Sequence, residues 1–117
     1  MSKDYGEITR SISASLRGLR HGTPDVMAGF NALADAAMRD GELDKITKEL
    51  IALAIGVAGH CDGCIGFHVK ALVKLGATRA ALQEALGVAV YMGGGPSLMY
   101  AADALAAYEE FAEPVAA

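Results

Sequence analysis

The chain has 117 residues, 53% of them hydrophobic and 21% charged, which suits one folded domain spanning 1–117 and excludes a disordered segment. A net charge of -4 and a sequence pI near 5.2 give no general attraction to nucleic acid or to an anionic membrane. Trp is absent and aromatics are only 6%, so no platform for stacking bases can be assembled.

The opening MSKDYGEITR is charged and has no apolar core of the kind a signal peptide needs. The longest charge-free run, Ala85 to Ala102, is broken in the middle by Gly93-Gly94-Gly95-Pro96. It therefore falls short of the ~20 apolar residues of a membrane span, and a cytoplasmic protein is expected. Thiols there are kept reduced, so the chain's two cysteines point to catalysis or metal binding before a structural disulfide.

Helical spacing recurs along the chain, and no segment alternates with period two for long enough to make a strand. A first helix is expected from about Asp4 to Leu19, with Ile8, Ile12 and Leu16 on one face and His21-Gly22 as its stop. Thr23-Pro24-Asp25 starts a second, with Thr as N-cap, Pro at the first helical position and Asp at the positive helix end; Gly41 follows it. A third helix, about Asp44 to Ala58, carries the stripe Ile46, Leu50, Leu53 and Val57 and breaks at Gly59. The fourth begins near Cys61 and stops at Gly76. Thr78 caps a fifth, which ends in the Gly93–Gly95 turn. Pro96 opens a sixth that reaches about Phe111, and the tail EPVAA is expected to fray. The fold class is all-α, with about six helices joined by short connections that favour antiparallel neighbours.

The chemistry gathers in Glu49–His68, ELIALAIGVAGHCDGCIGFH. With Cys61 at zero and about 100° per residue, Cys64 falls near -60°, Ile65 near +40°, His68 near -20°, Leu72 near +20° and Leu75 near -40°. Both cysteines and His68 then share the apolar stripe, and Lys70 and Lys74 face away. Cys64 and His68 are four residues apart and are neighbours on the helix surface. An imidazole there can deprotonate a thiol, and free N–H groups at the helix start favour a thiolate on Cys61. If the third helix folds back against the fourth about Gly59-His60, Glu49 and His68 reach similar heights. A carboxylate on that seam can orient His68 and raise its basicity.

Each residue also has a plain structural role open to it. A lone Cys is often a small core residue, a His on an apolar face is often simply hydrogen-bonded there, and Glu49 can be an exposed helix residue beside Lys45 and Lys48. Their joint occurrence on one seam favours a redox site. Haem attachment needs His directly after the second Cys, where Ile65 stands. Zinc could draw on Cys61, Cys64, His68 and His60, but Cys61 and His68 lie ~10 Å apart along a helix axis and do not readily converge on a tetrahedral ion. No metal or cofactor is therefore expected.

Glu49, Cys61, Cys64 and His68 spell E-x11-C-x2-C-x3-H, which resembles the pattern of AhpD-like alkylhydroperoxidases of the carboxymuconolactone decarboxylase superfamily. The resemblance continues through GATRAALQEALGVAVYMGGGPSLMYAADAL and covers roughly Phe30 to Leu105. It implies an all-helical fold, assembly into trimers or hexamers, and a peroxidase thiol cycle. In that cycle the second cysteine, Cys64, is the base-activated nucleophile and Cys61 its resolving partner. The decarboxylase branch lacks the cysteine pair, which makes lactone decarboxylation the lesser alternative. Some family members carry a histidine between the cysteines, whereas Asp62 and Gly63 stand there in this chain. His60 is a possible auxiliary group, and Asp62 adds a negative charge that opposes ionisation of Cys61.

The leading expectation is a thiol peroxidase that reduces a hydroperoxide and is regenerated by a dithiol donor, lipoyl-type or thioredoxin-like. A disulfide reductase or redox relay with Cys61 as the attacking thiol is the alternative, followed by a non-enzymatic redox sensor. A mean hydropathy of +0.31 is high for a small domain and suggests a homo-oligomer, with a hexamer favoured over a trimer by the resemblance. Phe67 and Val73, outside the inward stripe of the fourth helix, are candidate contacts.

Overall fold

In a computed structural model describing residues 3–113, helices α3 (Lys45–Ala58) and α4 (Asp62–Leu75) form an antiparallel hairpin. Two other helices, α5 (Arg79–Gly93) and α6 (Gly95–Ala112), pack against it. The N-terminal α1 (Tyr5–Gly22) lies across α4 and α6, and α2 (Pro24–Met38) touches α1 and α3 from outside. Among the described residues there is no strand. Of the tail expected to fray, Pro114 to Ala117 lie outside the described residues.

Local chemistry sets most helix ends. Asp4 accepts from the Glu7 N–H at 2.9 Å, Asp44 from Thr47 at 2.7 Å, and Thr78 from Ala81 at 3.1 Å. At the end of α4, Gly76 adopts a left-handed φ of 83°, and the Ala77 N–H reaches Leu72 O at 3.0 Å to close the last turn.

One boundary departs from expectation. His21-Gly22 ends α1 as expected, with Gly22 its last residue, and the departure lies at Thr23. The Thr23 hydroxyl turns back to Leu19 O at 2.8 Å, finishing α1 instead of capping α2. The helix break falls at Thr23, and Pro24, whose missing N–H suits the place, takes the first position of α2.

The core is built from Leu53 and Val57 of α3, Ile65, Val69 and Leu72 of α4, and Leu82 and Leu86 of α5. Burial of each such side chain contributes about 1.5–3 kcal/mol. On α6 the buried positions are Ala101, Ala104 and Ala107, whose small side chains admit close packing. Tyr5, almost fully buried, brings α1 into the same cluster.

The inward face of α4 is rotated from the one expected. Ile65, Gly66, Val69 and Leu72 are buried, Leu75 is exposed, and both cysteines and His68 are half-buried at the edge of the face. Phe67 and Val73, expected on open flanks, are half-buried too. The cause is α1. A Cβ at Gly66 would stand 2.7 Å from Thr9 Cγ2, so α1 rests directly on that side of α4 and moves the centre of burial toward it. The site is left on a rim that opens to solvent.

Candidate active site

Glu49 lies on the buried face of α3, with Leu53, Gly56 and Val57. Its side chain is only 8% exposed, and its Oε1 is 2.5 Å from His68 Nδ1 across the helix seam. An ionised carboxylate only accepts hydrogen bonds, so in a pair with ionised Glu49 the His68 Nδ1 is the nitrogen that donates, and a neutral imidazole would then present Nε2 as an acceptor. The His68 side chain itself is 32% exposed.

Cys61 and Cys64 are joined by a disulfide. Cys61 is the N-cap of α4, and its Sγ accepts the Cys64 N–H at 3.1 Å. A side-chain oxygen normally fills that position, so the sulfur sits where helix N–H groups stabilise negative charge. Gly56 permits the close approach of α3, since a Cβ there would stand 2.9 Å from Cys64 Cβ. Between the two helices opens a cavity of about 410 Å³, lined by Ala52, Ile55, Gly56, Gly59, Cys61, Cys64 and His68. Apart from the two sulfurs and the imidazole, its side chains are apolar.

His60 goes elsewhere. It takes a left-handed φ of 55° in the α3–α4 turn and stacks on Tyr100 with ring centroids 4.7 Å apart. It does not line the cavity. His60 thus stands apart from the other three donors weighed for zinc, and among the described residues no group of three or more His, Cys, Asp or Glu is placed to hold a metal ion.

The residues that sequence reasoning overlooked are Ala52 and Ile55, which shape the cavity, Lys3 and Tyr5, which bond to Asp62, and Asp103, which shares Lys3 with it. Helical spacing carries a signal for the first pair, since Ala52 and Ile55 follow Glu49 by three and six positions. Nothing local announces the second group.

The carboxymuconolactone decarboxylase family model matches residues 24–107, which includes Glu49, Cys61, Cys64 and His68. The chain belongs to this family. A carboxymuconolactone decarboxylase family protein of Legionella pneumophila is 60% identical, with a TM-score of 0.92 over 93% of this chain and 97% of that one. A family protein of Thermotoga maritima, 32% identical, superposes with a TM-score of 0.75 over 92% of this chain and 89% of the other. An uncharacterised protein of Cupriavidus necator is 38% identical over 93% of this chain and 96% of its own length. The all-α architecture is that of the carboxymuconolactone decarboxylase family, the AhpD-like superfamily, and the Cys61–Cys64 disulfide fits a CxxC site in it.

Proposed function

We propose that the protein is a thiol peroxidase of the alkylhydroperoxidase kind. The observation that carries this is the Glu49–His68 pair opening onto an apolar cavity beside the Cys61–Cys64 disulfide. An antioxidative role has been suggested for the Thermotoga maritima relative, which supports the same direction.

In the reduced protein, His68 Nε2 takes the proton of the Cys64 thiol while Glu49 stabilises the imidazolium. The thiolate attacks the distal oxygen of a hydroperoxide. The O–O bond breaks, an alcohol leaves with the proton from His68, and Cys64 becomes a sulfenic acid. The Cys61 thiol attacks that sulfur and displaces water, forming the disulfide described above. A dithiol donor then returns two electrons and two protons. The apolar walls at Ala52 and Ile55 favour an organic hydroperoxide over hydrogen peroxide.

The test is a count of free thiols in the reduced protein before and after one equivalent of an organic hydroperoxide. Loss of both thiols within one monomer is expected. Loss of fewer than both, or sulfur-linked dimers, would overturn the mechanism.

A dithiol–disulfide oxidoreductase without peroxidase activity is the second reading. It is favoured by one observation, the Cys61 sulfur at the N-cap of α4, which suits Cys61 as attacking thiol. Thiols lost equally fast with and without hydroperoxide, but rapidly to a small disulfide, would select it.

The working unit in this proposal is a cytoplasmic homo-oligomer, a hexamer before a trimer. Phe30 and Leu33 on α2, Ile55 on α3, and Tyr91 and Met92 on α5 are all exposed in the single chain. Ile55 belongs both to this exposed set and to the cavity wall, so a neighbouring subunit would narrow the entrance. Light scattering over a dilution series should give a multiple of 12.1 kDa, and a monodisperse monomer would overturn the assembly.

A further inference from the structure

Both chain neighbours of Cys61 are held by one charged and aromatic cluster. Lys3 Nζ, just ahead of α1, pairs with Asp62 Oδ1 at 2.8 Å and with Asp103 Oδ2 at 2.8 Å. The Tyr5 hydroxyl donates to the same Asp62 oxygen at 3.2 Å. The Tyr5 and Gly6 N–H groups donate to the Glu110 carboxylate at 2.9 and 2.8 Å, which fixes the segment on α6. Lys3 also stands 4.7 Å over the ring of Tyr100, on which His60 is stacked. The N-terminal segment thus reaches Asp62 directly and His60 through Tyr100.

The electrostatic consequence concerns Cys61. An unpaired carboxylate on the next residue disfavours a thiolate there. Lys3 supplies the compensating charge, and its two carboxylate partners hold its ammonium well above the usual lysine range. Burial pushes the Tyr5 phenol upward as well, so it stays a donor to Asp62. The Cys61 sulfur already accepts a helix N–H, so when a donor thiol attacks Cys64 and the disulfide opens, Cys61 is the leaving group that takes the charge, before Cys64 is released and the peroxide step begins anew.

We propose that Lys3 is a positioning residue for the dithiol chemistry: by holding Asp62 it cancels the carboxylate's opposition to a Cys61 thiolate and keeps the disulfide reducible. This rests on the dithiol cycle proposed above and extends it to the N-terminal segment. In the reaction concerned, two glutathione thiols transfer two electrons to the Cys61–Cys64 bond. That bond breaks, glutathione disulfide forms, Cys64 ends as thiol and Cys61 as thiolate, and one proton is released to solvent.

The experiment is equilibration of the full chain in glutathione buffers at pH 8, scored by the fraction of reduced protein. Lys3→Met should shift the equilibrium about two- to fivefold toward the disulfide, the range expected for a partly exposed ion pair. Lys3→Arg should restore the wild-type value, and Asp62→Asn should shift the balance the opposite way by a similar factor. In the Asp62→Asn background Lys3→Met should lose most of its effect. At 1 M salt, where the screening length is ~3 Å, the Lys3→Met shift should shrink. A Lys3→Met protein at the wild-type value, or a shift that persists in the Asp62→Asn background or at 1 M salt, overturns the proposal while the dithiol cycle stands. A wild-type pair that no thiol buffer reduces overturns both.

Discussion

The α3–α4 and α5–α6 hairpins use the same packing device for different ends. Each brings two helices together at a glycine, Gly56 against Cys64 in one and Gly93 against Ser97 in the other. In the first hairpin the polar groups at the seam are matched. Glu49 holds His68, and the Cys61 sulfur takes the Cys64 N–H. In the second, the Ser97 hydroxyl is buried with no hydrogen-bond partner, and the remaining buried side chains are Leu and Ala. Close approach therefore makes a tight seam, and only a matched set of polar groups on it makes a candidate site.

The sharpest way to break this comparison is to remove the base. His68→Ala should slow peroxide-dependent thiol oxidation by about 10²–10⁴-fold, while the helical content stays unchanged. Glu49→Gln should cost less in the same assay, because it acts through the orientation and charge of His68. Stopped-flow thiol consumption at neutral pH measures both. Equal rates in His68→Ala and wild type would reduce the α3–α4 seam to a packing contact like its counterpart.

The next effect probes the shared device. A Cβ at Gly93 would collide with the Ser97 side chain, and one at Gly56 with Cys64 Cβ. Overpacking typically costs about 1–3 kcal/mol, against a helix-propensity gain of about 0.5–1 kcal/mol for replacing Gly by Ala. Both Gly56→Ala and Gly93→Ala should therefore lower the melting temperature. Only Gly56→Ala should also slow disulfide reduction, since it alone pushes on a reacting residue. If the two variants reduce at the same rate, Gly56 does not hold Cys64 in place.

The smallest effect sharpens the contrast in polar matching. Ser97→Ala removes a buried hydroxyl that makes no hydrogen bond within the chain. It should be neutral or stabilising by up to about 1 kcal/mol. Urea unfolding measures this, and a loss above that size would show that Ser97 has a partner after all.

Much of the architecture was legible in the sequence because helix signals are local. Caps at Asp44 and Thr78, the left-handed stop at Gly76 and the break at Gly59 each depend on residues a few positions apart. The meeting of Glu49 with His68 was also legible, since a short turn joins two regular helices and residue counting gives their relative height. Which side of α4 is buried was not legible. Helical periodicity places Cys64, His68 and Leu75 on one stripe, but the weight of burial depends on α1 pressing on Gly66, a contact between residues far apart in the chain. The charge on Asp62 shows the same limit. Sequence alone presents a carboxylate between two cysteines, 59 positions from its ammonium partner. Only the folded chain decides that Lys3 and Tyr5 reach it, because ion pairs and hydrogen bonds form by proximity in space and leave no periodic trace along the chain.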